Sequence, residues 1–245
     1  MTEHTTTSDH HTVRAFDSDL QEIAGKVVAM GGLAEKQITD AVRALVDRDT
    51  GLAEHVIATD PTLDAMQQEL QQMAERTVAL RQPVAVDLRE VVAARVLCDH
   101  IERIGDYASH IGKRTIALGA DQCPQALVRG VAHMADQVLS SLKQVLGAYA
   151  SRNVQAALAV WKGDEEVDAQ CASLYRGLLS SMMEDSRNIT ACMHLMFCAK
   201  EIERIGDHVA NIAQMVHYMI EGRAIAGLRP KGDTTNFASE RSGQE

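Results

Sequence analysis

Aromatic residues make up only 3% of the 245 residues, with one Trp, four Tyr and three Phe. Sheets draw on aromatic and β-branched side chains, so this scarcity argues against a β-built core. Proline (4) and glycine (16) are also few, which removes the punctuation that many short strands need and suits long helices. Basic residues are in deficit: Lys plus Arg number 24 against 34 Asp plus Glu, a formal charge of −10. A protein that neutralises nucleic-acid phosphates or settles on an acidic lipid surface needs the opposite balance, so no nucleic-acid partner is expected. No apolar run approaches the roughly 18 residues of a membrane span, and Arg or Lys interrupts each candidate, so no transmembrane segment is expected. The stretch from Met1 to His11 is Thr- and His-rich without an apolar centre, unlike a secretory signal. The five cysteines, Cys98, Cys123, Cys171, Cys192 and Cys198, are odd in number and have no Cys-x-x-Cys spacing. They read as reduced thiols of a cytoplasmic protein.

Apolar residues supply 46% of the chain, and they fall at helical spacing. Leu20, Ile23, Val27, Met30, Ala34, Ile38, Ala41 and Leu45 form one stripe of a long first helix. Asp49 is the expected N-cap of a second helix running to about Arg81, with Leu52, Val56, Leu63, Met66, Leu70 and Met73 inward, and Gln82-Pro83 breaks it. A third helix is expected from about Asp87 to Leu118, stopped by Gly119. Leu127, Val131, Met134, Val138, Val145 and Tyr149 mark a fourth helix. Asn153 caps a fifth, continuous to about Glu184, and Ser186 or Asn188 opens a sixth that ends near Gly222. The expected fold is all-α, two tandem three-helix bundles over residues 16–119 and 124–222. A flexible polar leader (1–15) precedes them and a polar, disordered tail (223–245) follows.

The two halves repeat. Ile101-Glu-Arg-Ile-Gly-Asp106 recurs as Ile202-Glu-Arg-Ile-Gly-Asp207, 101 positions on. Arg48-Asp49, Asp60 and Asp64 return as Arg152-Asn153, Asp164 and Asp168, 104 positions on. The difference of three falls in the connection between the second and third helix of each half, where length is cheap to change. An identical hexapeptide in the same place of both halves is the mark of a duplication.

At about 100° per residue, Leu97, Ile101, Ile104, Gly105, Ala108 and Ile111 share one side of the third helix, and Asp99, Glu102, Asp106 and His110 the other. The sixth helix repeats this with Glu203, Asp207 and Asn211. A solvated face explains one such stripe. Like charges at i,i+4 destabilise a helix, though, and good helical faces put Lys or Arg there. Here the pairing Glu102/Asp106 is repeated as Glu203/Asp207, and the second helices add Asp60/Asp64 and Asp164/Asp168. If facing helices bring these pairs together, a cation is the natural occupant. All-oxygen donors suit Mg²⁺, Mn²⁺, Ca²⁺ or iron. Two readings stay open for Asp60, an N-cap before Pro61 or a neighbour of a kink. Lys200 replaces Asp99 in the second copy and is placed to pair with Glu203, so the two sites need not be equal; Arg103 and Arg204 are placed to neutralise the stripes without metal.

Gly105 and Gly206, mid-helix on the apolar side, point to close helix approach, and Gly31-Gly32 to a kink or another close contact. Cys98-x-His100 and Cys192-x-His194 are not ligand pairs, because residues two apart on a helix point away from each other. A ferritin-like oxidase would need Glu-x-x-His motifs that these glutamates do not open. Phosphate-binding loops, nucleophile elbows and dinucleotide fingerprints are absent from the sequence. The expectation is therefore a non-enzyme with no catalytic residues. A metal-dependent phosphohydrolase and a metal-buffering protein are the alternatives.

The two Glu-Arg-Ile-Gly-Asp segments, continuing Tyr107-Ala-Ser-His-Ile111 and His208-Val-Ala-Asn-Ile212, resemble the signature of the PhoU family. Met30-Gly-Gly-Leu-Ala-Glu35, Arg81-Gln-Pro-Val-Ala-Val-Asp-Leu-Arg89 and Met183-Glu-Asp-Ser-Arg187 are similar to family segments, so the resemblance spans roughly Phe16 to Gly222. It implies two three-helix bundles and a cytoplasmic negative regulator of the phosphate-starvation regulon and of phosphate uptake. The implied partners are the ATPase subunit of the phosphate ABC transporter, a sensor histidine kinase and a second copy of the chain. The partners would draw the protein to the inner face of the membrane. The resemblance also implies a metal ion (Mg, Mn, Fe or Zn) held by Glu102, Asp106, Glu203 and Asp207, with Asp60, Asp64, Asp164 and Asp168 from the facing helices.

Overall fold

The computed structural model describes residues 6–119 and 124–227, apart from the side chains of residues 6–15 and of Asp164. Seven α-helices and one short 3₁₀ turn account for nearly all of it: α1 (Thr6–Asp47), α2 (Thr50–Arg81), α3 (Ala85–Leu118), α4 (Gln125–Ser151), α5 (Val154–Lys162), α6 (Asp164–Glu184), the turn Ser186–Asn188, and α7 (Ile189–Glu221). Helices α1–α3 make one three-helix unit; α4, the α5–α6 pair and α7 make the second.

Caps and stops lie where local chemistry demands. The Asp49 carboxylate accepts the Leu52 N–H at 2.9 Å, and the Asn153 amide oxygen accepts from Gln155 and Ala156. Gly119 and Gly222 end α3 and α7 at positive φ, 51° and 72°, a backbone conformation that a side chain resists. Asp185 accepts from the Arg187 N–H and holds the turn that leads into α7.

Three boundaries differ from the sequence-based expectation. Helix α1 starts at Thr6, inside the expected leader. A long helix, once nucleated, extends through polar residues at little further cost. The expected continuous fifth helix is broken at Gly163 into α5 and α6. Gly163 contributes the poorest helix propensity short of proline, and the following Asp164-Glu165-Glu166 opens a new first turn. The equivalent helix of the first unit runs unbroken through Pro61, so Asp60 is an interior residue, not an N-cap. Of the expected disordered tail, residues 223–227 are ordered against the bundle: Ile225 packs on the core, and the His217 ring lies 3.2 Å from the Arg223 carbonyl. Residues 228–245, residues 1–5 and Cys123 lie outside the described residues.

A single core runs through both units, built of Leu, Ile, Val, Met and Ala from all helices together with Trp161 and Tyr149. The predicted stripes are its walls: Val27, Met30, Ala34, Ile38, Ile101, Ile104, Ile111, Ile202, Ile205 and Ile212 are fully buried. Helices α3 and α7 lie at its centre, each packed on its own unit and on the other. They run antiparallel, since His100 meets His208 while His110 meets Glu201. Helices α1 and α4 form the second inter-unit contact. A Cβ on Gly31 would lie 2.5 Å from Leu146, so Gly31 marks close approach and not a kink, while Gly32 faces open space.

Candidate functional site

Gly105 sets the spacing of α2 and α3. A Cβ there would lie 2.3 Å from Leu63 of α2 and 2.9 Å from the Gln37 amide oxygen of α1, so any larger residue would have to displace both side chains. Asp64 directly follows Leu63, and Asp106 directly follows Gly105. The close packing therefore brings acidic stripes of two helices to the edges of one groove. Asp64, Glu102 and Asp106 each place a carboxylate oxygen within 4.8 Å of the others.

The groove is less open than a solvated helix face. The Glu102 side chain is 17% exposed and that of Asp106 27%. Burial raises the Glu102 pKa above the usual glutamate value, and the charges of Asp106, Asp64 and Asp60 add to the rise against Arg103. Asp60 is raised for the same first reason; the nearby Ser109 hydroxyl and the Lys113 charge oppose this, and Asp106 and Asp64 reinforce it. Arg103 reaches Asp106 at 3.0 Å and Glu102 at 3.7 Å from an exposed position. An arm so exposed contributes little, and three converging carboxylates exceed one guanidinium. On the core side of the same turn, Gln37 is 2% exposed and neither of its amide atoms has a hydrogen-bond partner.

The remaining members of the stripe are drawn elsewhere. Asp99 accepts hydrogen bonds from Gln67 at 3.0 Å and Gln71 at 2.8 Å on α2, with Arg95 at 3.6 Å. His110 turns across to Glu201 at 3.6 Å.

The second stripe is built differently. Lys200 forms an ion pair with Glu203, one turn along α7. Burial works to lower the Lys200 pKa, and the Glu203 carboxylate, with Cys171 and Asp207 behind it, overcomes this and raises it. Arg204 pairs with Glu201 at 3.3 Å, and Lys200 with Glu203. Among the described residues, Asp168, Glu203 and Asp207 are not brought together as the first three are. The Asp164 side chain lies outside the described residues.

Sequence reasoning missed the seam between α3 and α7. His100 Nδ1 lies 2.9 Å from His208 Nδ1, and the Tyr107 hydroxyl lies 3.4 Å from His208 Nε2. Arg204 lies 5.8 Å over the Tyr107 ring. The one available signal was that Tyr107 and His208 hold the same place after the two hexapeptides, as residues facing one another across a pseudo-twofold would.

Residues 27–115 and 131–216 each match the model of the PhoU domain. The chain belongs to the PhoU family. It is 46% identical over 229 residues to the phosphate-specific transport system accessory protein PhoU homolog of Rhizobium meliloti (strain 1021), covering 94% of this chain and 97% of that protein. The fold is similar to the crystal structure of PhoU from Pseudomonas aeruginosa, with a TM-score of 0.80 at 36% identity over 85% of this chain and 100% of that one. It is similar as well to the phosphate transport system regulatory protein PhoU from Streptococcus pneumoniae, with a TM-score of 0.80 at 25% identity over 86% of this chain and 100% of that one. The two matched segments coincide with the two halves that carry the repeated hexapeptide, so each acidic stripe sits in its own PhoU domain.

Proposed function

We propose that this PhoU-family chain is a negative regulator of the phosphate-starvation regulon and of phosphate uptake. It works as a non-enzymatic adaptor between the ATPase subunit of a phosphate ABC transporter and a sensor histidine kinase. The observation that carries this reading is the match of both halves to the PhoU domain, together with a relative that aligns over nearly its whole length and is named for the phosphate-specific transport system. The architecture supports it. No helix among the described residues is long and apolar enough to cross a membrane, so contact with a membrane transporter would be made through helix surfaces. In this reading the protein is cytoplasmic, acts as a homodimer and is held at the inner face of the membrane by its partners.

A metal ion belongs to the first unit in this reading. Asp64, Glu102 and Asp106 would hold it, with Asp60 at the edge. The fit rests on three convergent carboxylates, those of Glu102 and Asp106 half-buried and that of Asp64 at the exposed edge. Hard oxygen donors favour Mg²⁺, Mn²⁺ or iron over Zn²⁺. The ion would supply positive charge that relieves like-charge repulsion and ties α2 to α3. The residues themselves position the helix surfaces that meet the partners.

The adaptor reading is tested by affinity purification of the tagged chain from phosphate-replete and phosphate-starved cells of its host. Recovery of the ATPase subunit and the kinase from replete cells supports it. Purification of the chain without either partner under both conditions contradicts it.

A further inference from the structure

The duplication breaks at one position of the stripe. Where the first copy has Asp99, the second has Lys200. The surroundings have changed with it. Asp99 is held by the side-chain amides of Gln67 and Gln71, and the positions 104 residues on are Cys171 and Tyr175, which offer no such pair of amides. The Lys200 side chain turns along its own helix instead and meets Glu203, whose side chain is only 13% exposed. A carboxylate so far out of water needs a cationic partner. Lys200 is itself 43% exposed, against 59% for Arg103, but its ammonium closes directly on the Glu203 carboxylate, whereas Arg103 stands 3.7 Å from Glu102.

We propose that the Lys200 ammonium is the built-in cation of the second acidic stripe, so that the second PhoU domain takes no metal ion and the chain binds metal in its first domain alone. The two domains then divide the work: one has a cation site open to metal supply, the other a charge that metal depletion leaves in place. A metal ion entering beside Lys200 would meet repulsion from the ammonium and would have to break its pair with Glu203. The metal half of this proposal rests on reading Asp64, Glu102 and Asp106 as a metal site. The Lys200–Glu203 half does not.

The test uses the full chain stripped with chelator and titrated with MnCl₂ by calorimetry, with bound manganese counted after dialysis. Wild type should show one class of site, which Glu102→Ala with Asp106→Ala abolishes and Glu203→Gln with Asp207→Asn leaves within twofold. Lys200→Asp, which restores the residue of the first copy, should add a second class that Glu203→Gln removes. Loss of manganese in the Glu203→Gln/Asp207→Asn variant, or an unchanged stoichiometry in a folded Lys200→Asp variant, overturns the proposal. If wild type binds no Mn²⁺, the metal reading of the first domain fails, and thermal unfolding decides the Lys200 half. Lys200→Met should then lower Tm by about 2–4 °C, and a second change, Glu203→Gln, should restore it. No loss in Lys200→Met, or no rescue in the double variant, overturns the built-in cation.

Discussion

Glu102 and Asp106 are four residues apart with like charge, and half-burial sharpens their repulsion. The folded pKa of Glu102 is raised above its ordinary 4.5, first by burial and then by Asp106. Ionising the group therefore opposes folding. Its stabilising contribution is full below pH about 4.5 and is lost as the pH rises through the folded pKa. In chelator, Glu102→Gln should raise stability at pH 7 by about 0.3–0.5 kcal/mol, and the gain should vanish as the pH falls below 4.5. Urea midpoints of both proteins between pH 4 and 7 check this; a difference that does not change with pH contradicts it. Excess Mn²⁺ should reverse the ranking at pH 7, because the variant has lost a ligand. The pairing of Glu102 with Asp106 was legible from i,i+4 spacing and its repetition; that Asp64 joins them depends on how α2 packs against α3. The fates of Asp99, His110 and Arg204 were not. Each meets a residue on a neighbouring helix or a neighbour on its own helix, at Gln67, Glu201 and Glu201 respectively, and spacing along one helix does not fix which neighbours helix packing brings within reach.

At the scale of the element, glycines at helical positions divide by what stands opposite. Gly105→Ala should cost about 1–3 kcal/mol, because a methyl group would have to displace Leu63 and Gln37 at 2.3 and 2.9 Å. Gly147→Ala in α4, where nothing lies within 4 Å, should stabilise by about 0.5–1 kcal/mol through helix propensity. Thermal or urea unfolding of the two variants gives the comparison; equal effects would remove the argument that Gly105 sets the α2–α3 spacing. Asp49→Ala should cost about 1 kcal/mol by freeing the Leu52 N–H. Helix ends at Asp49, Gly119, Asn153 and Gly222 could be read from residue type because capping is local chemistry. The break at Gly163 was harder to read. A lone glycine inside a periodic stripe is usually tolerated, and Val160 and Val167 keep the stripe buried on both sides of the break.

For the whole molecule, the duplicated hexapeptide announced two like units, and the structure shows how they meet. Helices α3 and α7 cross the centre antiparallel, so the two copies of the hexapeptide that carry the stripes also face one another through Tyr107, His100 and His208. That seam was invisible in the sequence because a repeat fixes the likeness of two units but not the operation that relates them. The stripes themselves differ: the first gathers three carboxylates in one groove, and the second spends its charge on Lys200. In the proposed reading, this chain holds the phosphate-starvation response silent when phosphate is plentiful. The most direct measurement is alkaline phosphatase activity in phosphate-rich medium, in a host lacking the chain and complemented with wild type or with Glu102→Ala/Asp106→Ala. Activity should be high without the chain and low with wild type, while the first-domain variant should lie between them. Low activity in the host that lacks the chain would contradict that reading.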